Sequence, residues 1–245
     1  MALVSQGVVQ SREEGHRVIL AGLVRVNDVV MDKPGKMIPS DAVITLTAKP
    51  SPYVSRAGGK LAAALEQLDL NCAGLTTLDV GASTGGFTDC LLQRGVTRVY
   101  AVDVGYGQLA WRIRTDPRVV VLDRVNIRYL PRSAVPEPID LAVIDVSFIS
   151  LKIVLPCVMP FLTHEAKVIT LLKPQFEVGV GQVGRGGIVR DESQRRQVTQ
   201  DLLAYAQTLD LECIGILDSP VIGKKGNREI LLGFCRSACP EVPRG

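Results

Sequence analysis

Four charged residues stand where a packed fold would not be expected to place them. Lys60 lies in a predicted helix of mainly apolar and small residues. Asp145 and Lys173 each end a short apolar run, and Glu229 begins the last such run. Burying a lysine or a carboxylate is costly unless opposite charges pair. The four residues are therefore candidate catalytic groups that offset one another, with ordinary structural ion pairs as an equal alternative.

A glycine-rich segment, DVGASTGGF, spans residues 79–87. Glycines after a strand let the backbone turn tightly against a ligand. A dinucleotide-binding fingerprint has glycine at its middle position, where this segment has Ser83. Carboxylates end the next two apolar runs, Asp103 where a ribose would bind and Asp123 where an adenine would lie. This combination indicates S-adenosylmethionine, with a structural turn as the alternative. The predicted cofactor-binding residues are Asp79, Gly81, Ala82, Ser83, Thr84, Gly85, Gly86, Phe87, Asp103 and Asp123.

From residue 55 onwards, helical segments alternate with short apolar runs. A predicted helix from Ser55 to about Leu68 carries Lys60, and others span 87–93 and 192–209. This alternation predicts an α/β fold with a mainly parallel sheet and right-handed crossovers. Sites in such folds lie at the edge where the carboxyl ends of the strands meet. The predicted strands are residues 77–80, 99–104, 119–122, 141–145, 168–172, 211–217 and 229–235.

Residues 1–48 predict a separate small α+β unit, followed by a stiff proline-containing linker at residues 49–54. Residues 1–60 hold eight basic and five acidic residues, so the whole net charge of +3 lies there. A polyanionic partner would meet this end of the chain first, although so small an excess can arise by chance. Short helices followed by a β-turn-β element resemble the RNA-binding domain first known from ribosomal protein S4, with a truncated first helix. The resemblance implies RNA contacts by Arg12, Arg17, Arg25, Lys33 and Lys36; a stabilising subdomain is the alternative.

Cysteine and histidine usage argues against several classes of protein. The six cysteines form no C-x-x-C pair, and there are only two histidines, which disfavours a zinc site or a histidine-based triad. The most apolar stretch, residues 141–162, contains Asp145, Lys152 and two prolines, so we expect a strand, a loop and a helix, not a membrane span. No secretory signal opens the chain, and buried thiols are typical of a reducing compartment, which predicts a cytoplasmic protein.

The set Lys60, Asp145, Lys173 and Glu229 matches the K-D-K-E tetrad of the FtsJ-like ribose 2′-O-methyltransferases. Longer segments, GASTGGF, DVGYGQLAW, SFISL and KPQFE, resemble the TlyA/hemolysin A family, and the resemblance covers nearly the whole chain. It implies a Rossmann-like methyltransferase sheet over residues 55–238, parallel with an antiparallel last strand. The short proline-containing segment 239–245 is expected to form a loose tail. The resemblance also implies S-adenosylmethionine-dependent 2′-O-methylation of cytidine in ribosomal RNA or ribosomal subunits.

The roles expected for the tetrad follow from the chemistry of a ribose hydroxyl, which is a weak nucleophile. Lys173 is the candidate general base, Asp145 would hold it, and Glu229 would pair with Lys60. We expect no metal. Basic residues near the expected mouth of the site are predicted to contact RNA phosphates, although Arg195 and Arg196 are equally explained as solvated helix charges. These residues are Arg185, Arg190, Arg195, Arg196, Lys224, Lys225 and Arg228.

Three other functions compete with this interpretation. The hemolysin name suggests a membrane-acting cytolysin, but the sequence lacks a spanning segment. A methyltransferase fold that has lost activity and only binds RNA is opposed by the complete tetrad. A nicotinamide-dependent oxidoreductase is opposed by Ser83 in the glycine-rich segment.

The length of the chain bears on which ribosomal RNA it modifies. Because the resemblance implies that short forms of the family modify large-subunit RNA alone, we expect large-subunit RNA as the substrate.

Overall fold

The computed structural model describes residues 2–20, 22–47, 51–179, 187–221 and 226–236. The chain forms two compact units, residues 1–54 and residues 55–245. Predictions for the tail at 239–245 and for part of the linker therefore fall outside the described residues.

The first unit is a small α+β structure. Ser11 accepts a hydrogen bond through its Oγ from the Glu14 backbone N–H at 3.0 Å, as a residue that caps a helix does. Asn27 and Asp28 both have positive φ angles, which a tight hairpin turn requires. The strands pair antiparallel in the order β2-β1-β3. The elements are α1 (Ala2–Ser5), α2 (Arg12–Leu20), β1 (Val24–Val26), β2 (Val29–Met31) and β3 (Ile44–Leu46).

The second unit is built around a seven-stranded sheet within the described residues. Its strands are β4 (Thr76–Val80), β5 (Arg98–Asp103), β6 (Val119–Asp123), β7 (Ile139–Ile144), β8 (Leu162–Leu172), β9 (Leu211–Asp218) and β10 (Ile230–Arg236). Its helices are α3 (Arg56–Gln67), α4 (Gly86–Gln93), α5 (Trp111–Arg114), α6 (Leu151–Val158), α7 (Pro174–Glu177) and α8 (Glu192–Gln207). Short 3-10 turns lie at Ile127–Tyr129, Arg132–Ala134 and Met159–Phe161.

The strand order is β6-β5-β4-β7-β8-β10-β9. Neighbouring strands from β6 to β8 are parallel, and β10 runs antiparallel to both β8 and β9. The predicted fold class, a mainly parallel sheet with an antiparallel last strand, is confirmed. The order reverses between β4 and β7, and ligands of open α/β sheets bind at the carboxyl ends of strands beside such a reversal.

Apolar side chains on both faces of the sheet form the core. The last four residues of β7, LAVI, are all buried, as expected for a strand covered by helices on both sides. Leu155 of α6 is fully buried in the main core, whereas Ile153 on the same helix is 48% exposed. The sheet is thus held rigidly beneath the loops that follow its strands.

Replacing Leu155 with alanine is expected to lower the free energy of unfolding by about 2–5 kcal/mol, because it removes buried methyl groups and leaves a cavity. Urea unfolding measures the change. The matched control is Ile153→Ala on the same helix, for which we expect a loss of less than about 1 kcal/mol. Equal losses in the two variants would contradict the placement of α6 against the core.

Candidate active site

Three of the four candidate catalytic residues lie at one edge of the sheet because of the strand directions. Asp145 directly follows β7 and Lys173 directly follows β8, at the carboxyl ends of parallel strands. Glu229 directly precedes β10, whose first residue, Ile230, pairs with Leu172 at the end of β8. Since β10 is antiparallel, its beginning lies beside the end of β8, so Glu229 reaches the same edge.

The four residues form two ion pairs. Lys60, which α3 supplies, pairs with Glu229, and their side chains are 11% and 6% exposed. The Lys173 Nζ lies 2.6 Å from the Asp145 Oδ1 and donates a second hydrogen bond to the Ser147 Oγ at 3.0 Å. Each ammonium is thereby held in a mostly desolvated position by an opposite charge, as burial requires.

Both pairs line a single cavity of about 710 Å³. This volume lies within the range typical of small-molecule sites, roughly 300–1,000 Å³. Six of the predicted cofactor-binding residues also form its wall: Gly81, Ala82, Ser83, Thr84, Gly86 and Phe87. The structure therefore brings the glycine-rich loop and the charged tetrad to the same cavity.

The glycine-rich loop approaches the rest of the site closely because it lacks side chains. Gly81 has a φ of +88°, and a Cβ there would collide with the carbonyl oxygen of Asp145. At Gly86, the first residue of α4, a Cβ would collide with the Oγ of Ser55, which directly precedes α3. It would also press against the side chain of Ala57 within α3. These contacts explain why a loop at this position needs glycine, independently of any ligand.

Asp103 at the end of β5 joins the glycine-rich loop to the turn that follows β5. Its Oδ2 accepts a hydrogen bond from the Ser83 backbone N–H at 2.7 Å, and its Oδ1 accepts one from the Gly105 N–H at 2.7 Å. A carboxylate has about four acceptor positions, so these two bonds leave acceptor capacity for a ligand hydroxyl.

Two predicted cofactor-binding carboxylates are placed differently from expectation. Asp79 is fully buried beneath the loop, where its Oδ2 accepts a hydrogen bond from the Thr88 Oγ at 2.6 Å and its Oδ1 has no partner. Asp123 pairs with Arg114 at 2.7 Å and accepts a hydrogen bond from the Gly107 N–H at 3.2 Å. The hydrogen bond from Arg114 lowers the pKa of Asp123. Asp79 thus supports the loop from below, because strand alternation turns its side chain towards α4.

Burial raises the pKa of Asp79 from its usual value of 3.8 to about 7, against the hydrogen bond from Thr88, which lowers it. The negative charges of Asp145 and Asp103 add to the increase. A group that is neutral at low pH and charged above neutrality therefore sits directly under the loop.

A pair of aromatic rings at the cavity, one exposed and one half-buried, was not anticipated from the sequence. Phe148 is 91% exposed with a φ of +64°, a backbone conformation that is strained for a residue other than glycine. Its ring lies 5.1 Å from that of Phe176, and both rings line the cavity. Such strain is typical of functional sites. Phe148 lies three residues after Asp145, and Phe176 lies three residues after Lys173. This shared spacing could have indicated the pair from the sequence.

Other cavity residues were likewise missed. Arg56 is the first residue of α3, exposed at the cavity, although a cation is unfavourable at a helix N-terminus. Gln175 also lines the cavity, and its Oε1 is buried with no hydrogen-bond partner. Polar groups of this kind, together with the tetrad, give the cavity convergent donors and acceptors.

The predicted RNA contacts are placed unevenly. Arg12, Lys33 and Lys36 are exposed on the first unit, and Arg17 and Arg25 are half-buried, with Arg25 donating to the Asp28 carbonyl at 2.6 Å. On the second unit, the exposed residues of the predicted set are Arg190, Arg196 and Arg228. Arg185, Lys224 and Lys225 lie outside the described residues.

Arg195 was wrongly predicted, both as an RNA contact and as a solvated charge. Its side chain is 9% exposed and pairs with Glu192 at 3.0 Å and with Asp218 on β9. The helix face that carries it packs on the sheet, so this arginine ties α8 to β9.

A second group of arginines and aromatic rings was also missed. Arg124 lies over the Tyr106 ring at 4.2 Å from its centroid, and Arg128 lies 5.3 Å from the centroid of Tyr129. Tyr106 is 65% exposed and Tyr129 is 75% exposed. Stacked arginines and exposed rings of this kind suit nucleic acid, because they offer both charge and a flat face.

Neither a metal centre nor a membrane span is found in the part of the chain that the structure describes. No group of three or more His, Cys, Asp or Glu side chains there is arranged to bind a metal ion. Each helix there is too short or too polar to cross a lipid bilayer.

Comparison with known proteins shows which family the second unit resembles. The family of FtsJ-like methyltransferases matches residues 53–236. The chain is 45% identical to the 16S/23S rRNA (cytidine-2'-O)-methyltransferase TlyA of Mycobacterium tuberculosis over 94% of this chain and 86% of that protein. It is 38% identical to Hemolysin A of Brachyspira hyodysenteriae over 94% of this chain and 96% of that protein.

Solved structures agree on the fold. A protein of Streptococcus thermophilus described under the hemolysin name is 40% identical, with a TM-score of 0.79 over 99% of this chain and 90% of that one. The N-methyltransferase NodS of Bradyrhizobium japonicum WM9, at 15% identity, has a TM-score of 0.52 over 73% of this chain and 86% of its own. The second likeness shows only that the sheet is that of a methyltransferase fold.

Asp79 is expected to make stability depend on pH. A carboxyl whose pKa is raised on folding stabilises the fold most below the unfolded value of about 4, and this contribution is lost as pH rises through the folded value of about 7. Asp79→Asn should therefore leave the free energy of unfolding little changed at pH 4 and raise it by about 4 kcal/mol above pH 8. Urea unfolding of both proteins across this range measures the difference. Parallel pH profiles for the two proteins would contradict the assignment.

Proposed function

Because the chain belongs to the FtsJ-like methyltransferase family, we propose that it transfers a methyl group from S-adenosylmethionine to the 2′-hydroxyl of a cytidine ribose in ribosomal RNA. The observation that carries the proposal is the pairing of Lys60 with Glu229 and of Lys173 with Asp145 in the wall of one cavity, beside the glycine-rich loop. Such a cavity can hold a cofactor and a nucleotide against two charged pairs.

The residues of the cavity fit S-adenosylmethionine. The glycine-rich loop supplies a close backbone wall of the cavity. Asp103 does not line the cavity itself but holds the loop, and it retains acceptor capacity for ribose hydroxyls. Ser83 stands where a phosphate-binding loop needs its middle glycine, as expected for a cofactor without a pyrophosphate. When bound, S-adenosylmethionine supplies an electrophilic methyl group on a positively charged sulfur.

The protein must hold the ribose hydroxyl in line with that methyl group and remove its proton. In the proposal, Lys173 reacts as the neutral amine: it contacts the hydroxyl, accepts its proton and becomes the ammonium that pairs with Asp145, while Asp145 and Ser147 fix its orientation. Lys60 is held in place by Glu229 and completes the polar wall on the α3 side.

Ribosomal RNA as the substrate is supported by the Mycobacterium tuberculosis relative, whose name specifies cytidine in 16S and 23S RNA. The exposed ring of Phe148 and the half-buried ring of Phe176 line the same cavity as the tetrad, and in the proposal they stack a base whose ribose reaches Lys173. Arg124 and Arg128, with their aromatic partners, add a surface suited to the flanking RNA. The basic residues of the first unit fit an RNA-binding role of the S4 type.

The choice of subunit stays a prediction. The Mycobacterium tuberculosis relative is named for both RNAs, and a Campylobacter jejuni relative, 31% identical over 76% of this chain, is named for 23S RNA alone. We retain large-subunit RNA as the expectation. An enzyme that methylates ribosomal RNA would act in the cytoplasm, and we propose that this protein is located there.

A direct test is transfer of labelled methyl groups to ribosomal subunits from a strain that lacks the gene, followed by mapping of 2′-O-methyl positions in both RNAs. Label in a cytidine of large-subunit RNA alone supports the full proposal. Label in both RNAs keeps the reaction and contradicts the subunit expectation. A chain that binds the cofactor by calorimetry but labels neither RNA contradicts the proposed substrate, and leakage of liposomes would favour a cytolysin.

Lys173→Ala is expected to lower the turnover rate by at least about 100-fold, because it removes the group that accepts the hydroxyl proton. The affinity for S-adenosylmethionine should change little, since the cofactor wall is formed by other residues. Single-turnover methyl transfer and calorimetry measure the two quantities. The control is Lys167→Ala, a lysine of β8 that does not line the cavity and whose Nζ donates to the Glu165 carbonyl at 3.2 Å, and equal rates in the two variants would refute the role of Lys173.

Phe148→Ala is expected to raise the KM for RNA by about 10-fold or more, because stacking of one base on an aromatic ring contributes about 1–3 kcal/mol. Phe148→Tyr keeps a ring of the same shape and should retain most of the affinity. Steady-state kinetics with ribosomal RNA separates KM from kcat. An unchanged KM in the alanine variant would exclude this ring from the RNA site.

A further inference from the structure

Two chain segments carry the reacting half of the site. The β7 loop, residues 145–150, bears Asp145 and Phe148. The β8 turn, residues 173–177, bears Lys173 and Phe176. The segments lie on neighbouring strands, and both the ion pair and the ring pair are formed between them. The geometry of the proposed reaction therefore depends on the separation of these two segments.

A third link joins the far ends of the same segments. Glu177, the last residue of the β8 turn, accepts a hydrogen bond from the Ser150 Oγ at 2.6 Å through its Oε2. Its Oε1 accepts another from the backbone N–H of Leu151 at 2.8 Å. Both carboxylate oxygens thus bond to the point where the β7 loop enters α6.

This carboxylate is held at an electrostatic cost. Burial raises the pKa of Glu177, while the hydrogen bonds from Leu151 and Ser150 and the charge of Lys152 oppose the increase. The start of α6 already has its own cap, since the Ser150 Oγ accepts a hydrogen bond from the Lys152 N–H at 3.1 Å. Ser150 satisfies only one of the free N–H groups in the first turn of α6, and Glu177 satisfies another, so the carboxylate ties the start of this helix to the β8 turn.

The links also differ in where they act. The ion pair and the rings lie in the wall of the cavity, where a substrate will contact them. Glu177 does not line the cavity, and its carboxylate hydrogen-bonds to Ser150 and Leu151, where the β7 loop ends and α6 begins. Lys173 is four residues before Glu177, and Asp145 is five residues before Ser150. The two short segments are therefore joined at both ends, by the ion pair at one end and by Glu177 at the other.

We propose that Glu177 is a positioning residue that clamps the β8 turn to the β7 loop and so sets the placement of Lys173 relative to the ribose hydroxyl. The inference rests on the proposed function and deepens it. Loss of the clamp lets the two segments move apart by up to about 1 Å. Such a shift misplaces Lys173 relative to the ribose hydroxyl but has little effect on the affinity for RNA or cofactor. The cofactor wall formed by the glycine-rich loop is not part of the clamp.

The test compares Glu177→Ala with Glu177→Gln and with Asp140→Ala in methyl transfer to ribosomal subunits. Asp140 is a matched control, because its carboxylate also bridges two elements by accepting the Thr76 N–H at 3.0 Å, but at the opposite edge of the sheet. We expect Glu177→Ala to lower kcat about 100-fold, as a misplacement of about 1 Å does, with KM and cofactor affinity changed less than about 3-fold. Glu177→Gln keeps an acceptor oxygen and should restore kcat to within about 10-fold of wild type.

Ser150 provides a second route if the alanine variant does not fold. Ser150→Ala removes one bond of the clamp and should lower kcat about 10-fold, whereas Ser150→Thr keeps the hydroxyl and should restore it. A kcat for Glu177→Ala or Ser150→Ala equal to that of Asp140→Ala, with an active wild type, overturns the clamp. An equal loss in the Gln and Thr variants also overturns it. A wild type that labels no ribosomal RNA overturns the proposed function, and the clamp with it.

Discussion

The structure of this site depends on the need to hold two ammonium groups, those of Lys60 and Lys173, at one mostly desolvated sheet edge. Each lysine must meet a carboxylate, because an unpaired buried charge would cost several kcal/mol. Asp145 comes from the strand next to Lys173, and Glu229 comes from the antiparallel strand on the other side. The insertion of β10 between β8 and β9 is what allows the second pair to form.

The same edge also determines where the glycine-rich loop can run. The loop passes so close to the carbonyl of Asp145 that position 81 has no room for a side chain. Asp79 is pushed beneath the loop by strand alternation and is left with one unpaired oxygen. Placing three acidic residues, Asp79, Asp103 and Asp145, around one loop makes the protonation of the buried one part of the fold's stability.

Much of this arrangement could be predicted from the sequence. Apolar runs and glycines located the strands, and strand ends located Asp145 and Lys173, because sheet geometry places consecutive strand ends together. Arg195 could not be placed correctly, since its burial depends on how α8 packs against Asp218, far away in sequence. The exposed ring of Phe148 was also missed, because hydrophobic patterns assign phenylalanine to a core and do not reveal a positive φ. Predictions for the RNA surface were weakest, as charge alone does not say which arginines are already paired.

The carboxylate of Asp103 has a consequence for attempts to give this fold a different cofactor. The group expected to bind ribose hydroxyls also accepts backbone N–H bonds from Ser83 in the glycine-rich loop and from Gly105 in the turn after β5. Recognition and architecture are thus combined in one side chain, and a substitution chosen to admit a modified nucleoside would dismantle the loop that holds it. Engineering or evolution of a new donor preference would have to begin elsewhere in the pocket, which makes Asp103 a constraint on the evolvability of the enzyme.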